Sequence, residues 1–409
     1  PYFFHLYDKG VLSIGFKFKS DSFGEMIHYI FNKTGVLYGS ALSNLYTSQK
    51  FVSHLTKEEK LKLLLFENLF FVYQYAEKKD QIDTQKFLNL LESFYDKFQK
   101  KISLWDFDAD KETSLKIEKI LSERVKIKSN ITKGNYWLNQ STNGLVFVDV
   151  LLFSAFLNDT QIDLVNKYDT FVFNLLYFLT KAAYSDGRIE EKEKRLLQYL
   201  LSSSHLNNSF KQKIALWISA PNELDELELF NGSQLDYKLI FELCVFVACG
   251  THTVHPSEER NLRKIGKALN LKNIEIDEAF LVGRTFVFKN KNALAILKEE
   301  KSSSVLLKAI QKKWLLILGR NKEKLFREIK ESKELMDLIA KSAIRDLSPE
   351  EKDQFKAQFY DILKSMPSLA IFLLPGGAIL LPIVIKLFPD ILPSAFKENI
   401  IDQNQSEKE

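Results

Sequence analysis

The sequence predicts an all-α protein: helical hairpins in a multi-helix bundle, followed by a hydrophobic C-terminal segment that is a candidate for membrane insertion. Three observations carry this. The 409 residues include 33 Phe but only 15 Gly and 9 Pro, so large apolar side chains far outnumber helix breakers. Apolar residues recur at helical rather than alternating spacing. Two capping-box sequences mark helix starts. At this length the chain exceeds one core and divides into several domains.

Residues 1–55 are aromatic and Gly-spotted with weak periodicity, and read as short helices or an irregular cap. The opening PYFFHLYDKG has no basic region followed by an apolar core, so it does not read as a signal peptide. Residues 56–140 form a helical domain. Thr56-Lys57-Glu58-Glu59 opens a helix: the Thr hydroxyl accepts from the Glu59 N–H while the Glu59 carboxylate reaches back. Leu61, Leu64, Leu65 and Leu69 follow on one face. Phe87, Leu88, Leu91, Phe94, Tyr95 and Phe98 define the next helix. After a charged helix, SNITKGNYWLNQSTNG is the best linker candidate.

From Leu145 to about residue 300 the helical pattern returns. Phe171, Leu175, Phe178, Leu179 and Ala182 form one stripe. Asp186-Gly187 then breaks the helix, and Ile189, Leu196, Leu197, Leu200 and Leu201 continue the inner face. About 65 residues later the shape recurs. Ile240, Leu243 and Val247 stand for Leu175, Phe178 and Ala182; Val254 stands for Ile189, and Glu258 for Glu193. This reads as a diverged repeat of a helix–turn–helix unit. Cys244 and Cys249 are five apart, which puts them on different faces of a helix and argues for two buried thiols.

Residues 301–346 are basic and amphipathic. Lys312, Lys313, Trp314 and Arg320 offer an interface for an anionic membrane surface or for RNA phosphate; the plainer reading is a solvated lysine face. Ser348-Pro349-Glu350-Glu351 is the second capping box, with Phe355, Phe359, Ile362 and Leu363 behind it. Pro367 to Ile385 is then 19 residues without a charge, the length a bilayer core requires. Pro375, Gly376, Gly377 and Pro382 interrupt it, so composition leaves a kinked span and a buried hairpin both open. Residues 397–409 are a polar tail.

Catalytic signatures are missing from the sequence: no phosphate-binding loop, no dinucleotide fingerprint, no nucleophile elbow and no paired Cys ligands. The expectation is a non-enzymatic protein without a cofactor. His252 and His255 beside Glu258 and Glu259 lack a third ligand at fixed spacing, so zinc is not expected. The net charge of +4 is too mild to argue for DNA.

Two resemblances add to this. The Asp186-Gly187 turn before an acid-rich helix start resembles the tellurite-resistance (TerB-like) domains over about 170–290. That resemblance implies Asp186, Glu190 and Glu193 as candidate divalent-cation ligands; the plainer reading assigns the acids to the helix end. Residues 347–396 resemble the transmembrane region of the LETM family, leucine-zipper, EF-hand-containing proteins of the mitochondrial inner membrane with bacterial relatives. The match runs through Pro367, Pro375, Leu380, Leu381, Pro382, Lys386, Leu387, Phe388, Pro389, Leu392, Pro393, Ser394 and Phe396. The order of segments is similar to bacterial LETM-related proteins described as biofilm-associated. The resemblance implies membrane lipid as a partner, a cytoplasmic helical body with a single C-terminal span, and a ribosome or homo-oligomer as further partners. It also implies a link to cation/proton exchange, with Lys386 at the bilayer edge. In the mitochondrial members ribosome binding belongs to a larger domain after this segment, and that domain is not carried over to this chain.

Overall fold

The computed structural model describes residues 22–47, 55–77, 83–102, 113–127, 142–251, 254–290 and 322–364 apart from Asp186 and Asp225, together with Val52, Leu318, Gly319 and Val384. These residues are all-α, as expected. The sole β feature among them is an isolated bridge between Lys126 and Thr142. The chain divides into two compact units, with the boundary between Leu271 and Lys272.

In the first unit, α1 (Phe23–Thr34) is capped by Ser22 and ends at Gly35, whose φ of 80° suits only glycine. The predicted capping box opens α2 (Lys57–Glu77): Thr56 N–H donates to Glu59 Oε2 at 2.8 Å and Glu59 N–H to Thr56 Oγ1 at 3.3 Å. Next come α3 (Thr84–Ile102), α4 (Thr113–Arg124) and α5 (Phe147–Asn158). Helix α2 packs on α4 and α5, and α3 on α4. Their shared core is aromatic. Phe87 and Phe94 meet Phe153 edge-on at 6.2 and 5.3 Å, and Phe98 meets Tyr168 at 5.8 Å. Such pairs add about 0.5–1.5 kcal/mol each beyond their buried area.

Of the polar stretch before Leu145, residues 142–144 are described: Asn143 N–H donates to the Val125 carbonyl and Asn143 Nδ2 to the Arg124 carbonyl, both at 2.8 Å. Gly144 is required there because a side chain would stand 2.8 Å from the Tyr199 ring. Tyr199 in turn donates to the Thr142 carbonyl at 2.7 Å. The rest of the linker candidate lies outside the described residues.

The repeat follows as α6 (Leu164–Ala183), α7 (Glu191–Ser203), α8 (Asn208–Ser219), α9 (Gln234–Thr251) and α10 (Pro256–Ala268). Helices α10 and α11 (Asn273–Asn290) begin 65 positions after α7 and α8. Helices α6 and α9 pack together, α7 reaches α9, and α10 reaches α6. Each hairpin's first helix is thus covered by the second helix of the other. Leu175, Phe178, Ala182, Ile240, Leu243 and Val247 are all buried in this core. Ile189, Val254 and Leu201 are half-buried rather than central. Both cysteines are buried and neither is in a disulfide, and burial pushes the Cys244 thiol far up.

The second unit contains α11 and three shorter helices: α12 (Lys322–Glu331), α13 (Lys333–Ile344) and α14 (Pro349–Lys364). Helices α12, α13 and α14 touch one another. Leu325, Ile329, Leu335, Ile339, Phe355 and Phe359 form their core.

Candidate functional site

The expected membrane motif (Pro367, Pro375, Pro382, Lys386, Phe388, Pro389, Pro393 and Phe396) and the expected basic interface (Lys312, Lys313, Trp314 and Arg320) lie outside the described residues. So does Asp186. No described helix is long and apolar enough to cross a membrane.

The entry to the C-terminal segment is described. Ser348 caps α14, and the box forms as the sequence predicts: Ser348 N–H donates to Glu351 Oε2 at 3.0 Å and Glu351 N–H to Ser348 Oγ at 3.3 Å. Arg345 adds a two-pronged contact to Glu351, 2.7 Å on each oxygen. The Arg345 guanidinium and then the Ser348 N–H hold the Glu351 carboxyl at about 2. Leu347 is buried beside this cap, while Ile344 is exposed at 73%. The segment boundary is therefore a fixed corner between α13 and α14.

Charge separates along the chain. Residues 301–345 carry twelve basic and five acidic side chains, whereas 347–409 carry six basic and nine acidic ones. The basic excess of the sequence lies upstream of Ser348.

Two acids of the turn, Glu190 and Glu193, form a helix cap. Glu193 is buried, and its carboxylate accepts from the Glu190 N–H at 2.9 Å in a capping box at the start of α7. The second repeat copies this: Glu258 accepts from the His255 N–H at 3.2 Å, and His255 Nδ1 lies 2.7 Å from Ser257 Oγ. Gly187, with φ of 92° and open space around it, supplies the turn. Among the described residues no three His, Cys, Asp or Glu side chains gather as a metal site.

Sequence reasoning missed three buried polar clusters, each built on a carboxylate side chain. Arg124 holds Asp149 through Nε at 2.8 Å and Nη2 at 2.6 Å, and the Tyr95 hydroxyl donates to Asp149 at 3.0 Å. His28 Nε2 bonds Glu242, which also accepts from Asn32 Nδ2 at 3.2 Å. Burial lowers the His28 imidazole below its ordinary value, against the pull of Glu242, and His28 Nδ1 has no partner among the described residues. Glu67 accepts from the Leu45 and Thr47 N–H groups at 2.7 and 2.9 Å, while burial raises its carboxyl. Each carboxylate is a lone charge in an apolar helical run, as in FVDVLLF, and that was the available signal.

Together these features define an all-α protein with an ordered corner leading into a distinct C-terminal segment. A family model described as LETM1-like, RBD matches residues 347–409. The LETM-type resemblance is borne out over that segment. The description attached to it is RBD, where the sequence suggested the family's transmembrane part. No curated protein and no solved structure matches the chain.

Proposed function

We propose that this protein is a non-enzymatic, membrane-associated binding protein that engages the ribosome through its C-terminal segment. The match of residues 347–409 to the LETM1-like RBD carries the reading, RBD being the ribosome-binding domain. The uncharged run 367–385 supplies the anchor. The helical body then serves as an adaptor, and the link to biofilm formation comes with the resemblance alone.

The charge asymmetry divides the labour. The acidic balance of 347–409 favours contact with ribosomal protein over contact with RNA phosphate. The basic stretch 301–345 supplies phosphate contacts and hence the salt dependence. The test is co-sedimentation of the full chain with ribosomes across a salt series. Binding at low salt is expected, with the salt slope reduced in Lys312→Gln/Lys313→Gln. A chain that stays in the supernatant at low salt refutes ribosome binding. Flotation with anionic vesicles tests the anchor: it fails if carbonate strips the protein from the floated fraction.

A further inference from the structure

We propose that the helical body binds a free apolar α-amino acid. The site is a cavity of about 320 Å³ between α5, the start of α6 and the connection into α9. That volume lies at the lower end of the range of about 300–1,000 Å³ typical of small-molecule sites, which suits a ligand of amino-acid size. The lining residues and their chain neighbours are all among the described residues.

The floor is apolar. Leu151 and Phe171 are buried there, and Phe230 closes one side. Phe230 is held in place: its ring meets Tyr237 edge-on at 5.3 Å, and its carbonyl accepts from the Tyr237 hydroxyl at 2.6 Å. The charged groups of the lining are Asp163, Lys167 and Asp236. Asp163 caps α6, accepting from the Asn166 N–H through Oδ1 at 3.0 Å. Asp236, in the first turn of α9, accepts from the Ser233 N–H through Oδ2 at 2.7 Å. Each carboxylate keeps its other oxygen without a partner among the described residues. Asp236 is only 5% exposed and yet lines the cavity, where that second oxygen can accept.

Lys167 follows Asp163 by four residues, a spacing that makes two side chains neighbours on a helix. It pairs with neither Asp163 nor Asp236, and it makes no other hydrogen bond among the described residues. Carboxylate oxygens and an ammonium thus line one small cavity without neutralising each other. An anion would meet the two carboxylates. A simple cation would meet Lys167 and leave the floor wet. A neutral apolar molecule would desolvate all three charges without replacing the water they lose. A zwitterion matches both signs: its ammonium donates to Asp236, its carboxylate accepts from Lys167, and its side chain covers Leu151 and Phe171. The site uses no residue of 347–409, so it stands or falls separately from ribosome binding.

The test is calorimetric titration of the full chain with L-leucine. One site per chain is expected. N-acetyl-leucine lacks the ammonium, leucinamide lacks the carboxylate and glycine lacks the apolar side chain. Each should bind at least about tenfold more weakly than leucine. Lys167→Gln should weaken leucine about tenfold and leave leucinamide unchanged, because the amide has no carboxylate for the lysine to hold. Asp236→Asn keeps an acceptor oxygen for the Ser233 N–H and should weaken leucine to a similar degree. An unchanged melting temperature certifies each fold, and if Asp236→Asn lowers it, Lys167→Gln decides alone. The proposal is overturned if leucine gives no heat, if N-acetyl-leucine or leucinamide binds as tightly, or if Lys167→Gln leaves leucine binding unchanged.

Discussion

Beyond surface ion pairs such as Lys86 to Glu77, the body also buries charged side chains, which the described residues of α12–α14 do not. In the body, Arg124, Asp149, Glu242 and Glu67 are each at most 1% exposed and sit among aromatic rings. In α12–α14 the ion pairs stay at the surface: Lys341 to Asp337 at 2.7 Å and Arg345 to Glu351 at 2.7 Å. A buried pair adds little net stability, because desolvation offsets the attraction, but breaking one half is costly. Exposed pairs contribute about 0–1 kcal/mol. The body's charges therefore act as register pins between helices distant in sequence, while the surface pairs serve local helix ends.

The largest test breaks a pin. Asp149→Ala strands the buried Arg124 guanidinium and should cost ~3–5 kcal/mol in denaturant unfolding. The double change Arg124→Met/Asp149→Leu should recover most of that loss. If it does not, the pair contributes net attraction and the contrast with α12–α14 is weaker than drawn.

Next is the C-terminal helix group. Phe355 is buried and stacks on Phe359 at 5.9 Å. Phe355→Ala should cost about 3 kcal/mol. Calorimetry should show this as a shift confined to one of two transitions. A single transition that moves as a whole would mean the two compact units unfold together.

The third test is pH. In the native state burial lowers the His28 imidazole below the ordinary value of 6.5. The unfolded chain binds that proton first as pH falls. Stability is therefore full above about 6.5 and declines below it, by at most about 1.4 kcal/mol per pH unit. His28→Gln should flatten this slope between pH 6.5 and 5 in urea titrations. An unchanged slope would assign the acid sensitivity to other groups.

The smallest effects compare the same local device in both places. Thr56→Ala and Ser348→Ala each remove a cap hydroxyl and should each cost about 1 kcal/mol by thermal melting. Equal losses are expected, because a cap acts within one helical turn wherever it sits.

The devices legible in the sequence share that locality. The boxes at Thr56–Glu59 and Ser348–Glu351 join residues three apart, so spacing alone specifies them. The repeat was legible for the same reason: a stripe of Leu175, Phe178 and Ala182 recurs as Ile240, Leu243 and Val247. The tie between Tyr199 and the Thr142 carbonyl was not legible because it crosses more than fifty residues.

The sequence by itself determined helix identity, helix starts, the inner faces and the family likeness of the C-terminal segment, all of which depend on neighbours within a few positions. Tertiary structure decided which lone charges meet. Asp149 finds Arg124 and Tyr95, and His28 finds Glu242 across 214 positions. Those choices rest on desolvation and ring packing between helices, quantities that exist only once the chain has folded.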